Sequence, residues 1–392
     1  IASFAADAVR ERPPGDNAIQ AGKGGSSNGK RLSWMVVNTD DMPFLVDSVA
    51  GAITARGFAI ERLLHPVIDA VRTKTGKLVS AVPYDAGSKT EGQRESLIFI
   101  EMERADARTR AELCNEIDAA LGDVRLAVRD WKPMLARLDA DIAAAADPRA
   151  KAFLSWLAAD NFTFLGHGVI ATDGIEAEPA LGLLAEGGSY SLLEDRASAK
   201  AALHAIRSPD LPVLVVKADQ LSTVHRRTRM DLVSLPLRDA SGHLIGVSNY
   251  AGLFTSQGLS TPAASVPLLA ERVAGLAASH DFASASHAAK ALTHAIEQLP
   301  RDLLFEMDDT TLHDLALTGM SLVDRPRPMV KTLCDPLGRY TTVLAWLPRD
   351  AFSTQRRTDI AALAVRMADG TLDGWTARMG EDALVSLRYV IR

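Results

Sequence analysis

The chain has 392 residues, 47% hydrophobic and 23% charged, with a formal net charge of -6. That length supports about two to four cores, and the acidic balance leaves no surplus of cations for a nucleic-acid backbone. No run approaches the ~18 consecutive apolar residues that span a bilayer, the first residues carry no signal-peptide apolar stretch, and Cys114 and Cys334 lack CxxC spacing; a membrane partner, a disulfide framework and a zinc site are therefore not expected, and the cytoplasm is.

Residues 1–31 end in RERPPGDNAIQAGKGGSSNGKR, a composition too rich in Pro, Gly, Ser and charge to bury a core, so a flexible lead-in is expected. Gly24, Gly29 and Lys30 match the spacing of a phosphate loop, but Arg31 stands where Ser or Thr would ligate magnesium. A strand over 32–37 follows. Asn38, Thr39, Asp40 and Asp41 stop it, Asp40 or Asp41 can cap a helix, and Leu45, Val49, Ala52 and Ile53 recur at helical spacing until Gly57 offers an exit. A second strand over 58–64 is parallel to the first if the connection is the usual right-handed crossover. Strands over 66–72 and 78–83 pair as a hairpin across Gly76, and 96–102 is strongly apolar. Thr109 and Glu112 form a capping box, Leu113, Ile117 and Leu121 a buried stripe, and Gly122 closes that helix before a strand over 124–128. Without the hairpin the order is βαββαβ, the ferredoxin-like arrangement.

Helical stripes over 131–146 and 150–159 connect to a strand over 162–171. Gly166, Gly168 and Ala171 there fit G-x-G-x-x-A, yet no helix start follows to receive a pyrophosphate. Strands over 212–217, 230–237 and 244–254 give a small antiparallel module. Helical stripes over 266–278, 286–298 and 300–321 follow, and then strands over 329–334 and 340–347, a helix over 354–367 and a strand over 384–391. That last strand has no stop signal after it, so further chain is expected beyond it.

The segments DDMPFLVDSV with HPV, FLSWLAADNFTFLGHGV, VHRRTRMDLVSLPL, GLFTS, LPRDLLF and AFSTQRR resemble the N-terminal region of the large NAD-specific bacterial glutamate dehydrogenases. The resemblance covers nearly all of the chain after about residue 32. It implies ACT-like and PAS-like regulatory modules upstream of a separate catalytic domain, which would hold NAD and oxidise L-glutamate to 2-oxoglutarate and ammonia. The expected fold class is α+β. A flexible lead-in (1–31) precedes an ACT-like domain (32–130), a helical connector (131–160), a PAS-like β-rich domain (161–258), a helical segment (259–324) and a truncated second ACT-like unit (325–392).

Catalytic residues, metal ligands and cofactor contacts are not expected in this segment. The histidines lie in no H-E-x-x-H, and no G-x-S-x-G elbow occurs. Two binding candidates stand out. An amino-acid effector could dock at the loop 38–44, through Asn38, Asp40, Asp41 and Phe44, because a helix N-terminus opens there; capping is the competing role. Arg226, Arg227 and Arg229 could hold a carboxylate or phosphate; the competing reading is a solvated strand edge or an interdomain salt bridge. The expected partners are the C-terminal catalytic domain of the same chain and further subunits of a homo-oligomer. The strand 96–102 is either an interface strand or a central one. A free-standing amino-acid sensor with ACT-like domains is the alternative reading.

Overall fold

The computed structural model describes residues 2–27, 29–85, 92–174, 176–185, 196–208, 210–280, 286–379 and 383–392. Its strands form three sheets, and every recorded pairing is antiparallel. Helix α1 (Ala2–Val9) precedes strands β1 (Ala18–Ser27) and β2 (Lys30–Asp40), helix α2 (Leu45–Ala55), strands β3 (Ile60–Leu64), β4 (Val67–Arg72), β5 (Leu78–Pro83) and β6 (Gln93–Glu103), and helix α3 (Ala107–Arg129). β6 is the centre of this first sheet. β2 pairs along one side of it and β3 and β4 along the other. Since β2 and β3 both run antiparallel to β6, they are parallel to each other across the α2 connection.

Strand alternation sends side chains to opposite faces. Met35, Val37, Ile98, Ile100 and Met102 therefore meet a layer made by α2 and α3, while Val36 and Phe99 face Ala8 of α1. The segment 96–102 is thus a central strand covered within one chain, not an interface strand.

The stretch 1–31 is not a flexible lead-in. β1 pairs with β2 in register Ile19↔Val37 and Ala21↔Met35, and β2 begins at Lys30. The glycines that suggested disorder are close-approach positions: a Cβ on Gly22 would come within 2.8 Å of the Phe4 ring, and one on Gly24 within 2.8 Å of Trp34. Gly24 and Lys30 lie in paired strands, so the phosphate-loop spacing is coincidental.

The strand expected over 124–128 is helix instead. α3 continues through Gly122 because Val124 and Ala127 extend the stripe of Leu113, Ile117 and Leu121 into the same core. The edge beside β2 is filled by β1, so the fourth strand of the ferredoxin-like order comes from before the unit. Its helix caps also differ from expectation. Asp106 caps α3 by accepting from the Thr109 amide at 2.8 Å, so Thr109 and Glu112 form no capping box.

Helices α4 (Trp131–Ala144) and α5 (Pro148–Trp156) lead to the second sheet. It contains β7 (Phe162–Ala171), β8 (Leu181–Gly182), β9 (Leu214–Leu221), β10 (Arg229–Arg238) and β11 (Leu244–Phe254), with α6 (Arg196–Ile206) between β8 and β9, in the order β8-β7-β11-β10-β9. Gly166 and Gly168 sit inside β7, away from any helix start. Phe153 and Leu154 of α5 pack on Phe164, Val233 and Tyr250.

After α7 (Ser256–Ser260) come α8 (Leu269–Ser279), α9 (His287–Glu297), α10 (Arg301–Glu306) and α11 (Asp309–Asp324). The stripe over 300–321 is two helices because Asp308 caps a new start, accepting from the Thr311 amide at 2.7 Å. The third sheet has β12 (Met329–Cys334), β13 (Thr341–Pro348), β14 (Leu372–Met379) and β15 (Leu384–Ile391), in the order β12-β13-β15-β14, with α12 (Thr354–Ala368) between β13 and β14. Helices α8 to α11 contribute to the core that takes in Leu344 and Trp346 on one face, and α12 covers Val343, Ala345, Leu387 and Tyr389 on the other. β14 is a strand the sequence reading missed, an edge strand exposed along most of its length. The first and third sheets place their strands in the same order, each with its leading strand at one edge.

Candidate functional site

The loop 38–44 carries β2 into α2 over a buried charge cluster. Asn38 is fully buried; its amide donates to Glu95 Oε2 at 2.9 Å, and its Oδ1 accepts from Arg72 at 2.9 Å. Glu95, also fully buried, accepts from Arg12 at 2.7 Å and from Arg72 at 2.6 and 2.8 Å. Burial pushes the Glu95 carboxyl up, but the hydrogen bonds from Arg72, Arg12 and Asn38 outweigh it and hold the pKa at about 2.

Neither Asp40 nor Asp41 caps α2. Asp40 pairs with Arg12 at 3.0 Å and Arg125 at 3.4 Å, while Asp41 accepts from Ser96 Oγ at 2.7 Å. The cap position belongs to Phe44, left-handed at φ 70 and ψ 0, with no side-chain cap bond. A left-handed phenylalanine costs about 1–3 kcal/mol and persists only where surrounding contacts hold it.

Those contacts come from the second binding candidate. The Phe44 ring lies 5.2 Å from that of His225, itself at φ 62. The His225 amide donates to Ser48 Oγ at 3.0 Å, and its Nδ1 lies 2.8 Å from Asp47 Oδ2. The two stretches singled out separately in the sequence are therefore one joint, in which the β9–β10 hairpin covers the first turn of α2. Two of the three arginines are already engaged. Arg226 donates to the Phe254 carbonyl; Arg229 pairs with Asp373 of β14 at 2.6 Å and donates to the Asp219 carbonyl; Arg227 is exposed beside Gly51 of α2. A double-mutant cycle on Asp47→Asn and His225→Ala should give a coupling of about 0.5 kcal/mol, the usual worth of a half-exposed pair. Strict additivity in urea melts would remove this contact from the joint.

A second set of charges joins β9 and β10 to α10 and the third sheet, and nothing in the sequence spacing announced it. Lys217 pairs with Asp231 at 2.6 Å and Asp302 at 3.5 Å, and Asp302 takes Arg388 at 2.7 Å. Burial opposes the charge on Lys217, yet Asp231 and Asp302 raise its pKa. Burial likewise pushes Asp302 up, and Arg388 and Lys217 bring it well below the carboxylate range. Glu306, one turn along from Asp302, differs: burial, then repulsion by Asp302, pushes it up to about 8.

Residues 5–117 match the family model described as the glutamate dehydrogenase ACT1 domain, residues 266–325 that of its helical motif 1, and residues 330–392 that of its ACT2 domain. Over most of its length the chain is similar to the NAD-specific glutamate dehydrogenases. The relative from Pseudomonas aeruginosa, an NAD-specific glutamate dehydrogenase, is 30% identical over 372 residues, 90% of this chain and 23% of its own length. Enzymes of the same name from Halomonas elongata (29% identical, 92% of this chain, 24% of the relative) and Mycobacterium tuberculosis (23% identical, 98% and 24%) match alike. The chain thus spans about a quarter of the length of these glutamate dehydrogenases. Its first and third sheets are the ACT sheets, and the ACT1 match begins at residue 5, upstream of β1.

Two His–Ser–Asp chains, His65–Ser96–Asp41 and His167–Ser248–Asp141, came to light only in the structure. In each the serine is in the middle and donates to the aspartate, at 2.7 and 2.6 Å, so the histidine does not withdraw its proton as a triad requires. Ser96 and Ser248 are fully buried, and burial pulls the His167 pKa down to about 4. These are structural networks. Among the described residues, no group of three or more His, Cys, Asp or Glu could hold a metal ion, and no helix is long and apolar enough to cross a membrane.

Proposed function

We propose that this chain is the N-terminal regulatory part of an NAD-dependent glutamate dehydrogenase, whose catalytic domain lies elsewhere in the same polypeptide. The parent enzyme would oxidise L-glutamate to 2-oxoglutarate and ammonia, with NAD bound in that other domain. The observation carrying this reading is the combination of three glutamate dehydrogenase family models with a match to only 23–24% of each relative. The same length relation speaks against a free-standing sensor.

The second sheet is the PAS-like module of this reading, supported by its five antiparallel strands in the order β8-β7-β11-β10-β9 and its flanking helices. Regulation would run through the joints. A ligand or neighbour that shifts Phe44 against His225, or Asp302 against Lys217, moves one module relative to the next. Coupling through such contacts is typically worth ~1–3 kcal/mol. Assembly into a homo-oligomer would use exposed edges: β5 leaves Val79 and Val82 at 65% and 47% exposure, and β14 leaves Trp375 and Met379 at 46% and 56%.

The purified chain should reduce no NAD in the presence of L-glutamate, because hydride transfer needs a nicotinamide held against its substrate. Turnover above the level of a mock purification, followed at the NADH absorbance band, would overturn the assignment of this segment as regulatory.

A further inference from the structure

We propose that the cavity between the α10–α11 turn and the β12–β13 turn binds a small protonated amine, with Glu306 as its counter-charge. The cavity measures about 280 Å³ and is lined by Glu306, Asp308, Thr311, Asp335, Tyr340 and Thr342 among others, with no Lys, Arg or His in its wall. Two of its three carboxylates are occupied. Asp308 caps α11, and Asp335 takes Arg339 at 2.8 and 2.9 Å together with the amides of Leu337 and Arg339, each at 3.1 Å.

Glu306 receives no hydrogen bond from any described residue. The nearby cations are already used, Lys217 by Asp231 and Asp302, Arg388 by Asp302, and Arg339 by Asp335 and Asp219. An unpaired carboxyl in such a place is costly when charged and stays protonated instead. An incoming ammonium removes that cost, and its remaining N–H groups find hydroxyls at Thr342 and Tyr340. No Lys, Arg or His in the wall offers a ligand carboxylate a counter-charge, which favours a simple amine over a zwitterionic amino acid. A divalent ion would need several free carboxylates, and only one is free.

The proton balance is explicit. The carboxylic acid of Glu306 and R-NH3+ become a carboxylate–ammonium pair, and one proton leaves to solvent. Affinity should therefore rise about tenfold per pH unit between pH 6 and 8. The site touches α10, β12 and β13, and reaches β9 through Asp302 and Lys217, so occupancy would bear on the regulatory joint. That consequence rests on the proposed function; the binding does not.

Calorimetry of the 392-residue chain with ethanolamine and n-propylamine tests it. Saturable one-site binding at pH 8 is expected, weakened about tenfold per pH unit down to pH 6.5, lost at least tenfold in Glu306→Gln and reduced severalfold in Thr342→Val. Glutamine mimics the protonated acid and should fold. Absence of saturable binding at pH 8, or equal affinity in Glu306→Gln, overturns the site. Dehydrogenase assays on the full-length enzyme report separately on the regulatory reading.

Discussion

Replacing Glu95 by glutamine should destabilise the chain by about 3–5 kcal/mol, the loss found when one partner leaves a buried ion cluster. Glu95 is fully buried and faces Arg12, which is 2% exposed, and Arg72. With the carboxylate gone, two guanidiniums share a cavity built for their counter-ion. Arg12 also ties the segment after α1 to the sheet, so its release should loosen β1. The folded pKa of about 2 lies below the ordinary 4.5. The stabilisation is thus complete above about pH 4.5 and is lost as pH falls toward 2. Urea melts between pH 7 and 3 measure both effects. A loss below 1 kcal/mol at pH 7, or an unchanged acid limb in the variant, would sink the idea.

The opposite sign is expected at Glu306. Its folded pKa of about 8 lies above the ordinary 4.5, so the folded chain keeps a proton that the unfolded chain has released. Without a ligand, the Glu306 contribution to stability is fully present below pH 4.5 and is lost as pH rises through 8. Glu306→Gln removes that slope and should stabilise the chain at pH 8 by on the order of 3 kcal/mol, with no gain at pH 4. Parallel melting profiles for wild type and variant across pH 4–9 would show that Glu306 ionises freely. A saturating amine should have the same stabilising effect on wild type at pH 8 and none on the variant.

Local order was legible because it is written in neighbouring residues. The helix Leu45–Ala55 follows from the spacing of Leu45, Val49 and Ile53, and Gly57 leaves it with φ 81, as a left-handed exit requires. The turn through Gly76, with φ 91, and the four long strands of the second sheet were likewise readable. So was the family resemblance, which rests on short wordings.

Pairing was not legible, because a strand's partner is chosen by surfaces distant in sequence. β1 looked disordered until Phe4 and Trp34 were seen lying on its glycines. The Val124 stretch looked extended until α3 was seen using it to bury against the first core. β14 gave no alternation because both of its faces are largely open. The site residues divide in the same way. Asn38, Asp40, Phe44 and Arg229 could be picked out by type, but their roles depend on groups such as Glu95, 57 residues from Asn38, and Asp373, 144 from Arg229. Short-range propensity determined most of the long helices and strands; the tertiary structure decided which buried charges are neutralised, and it leaves the Glu306 carboxyl with no hydrogen bond from the described residues.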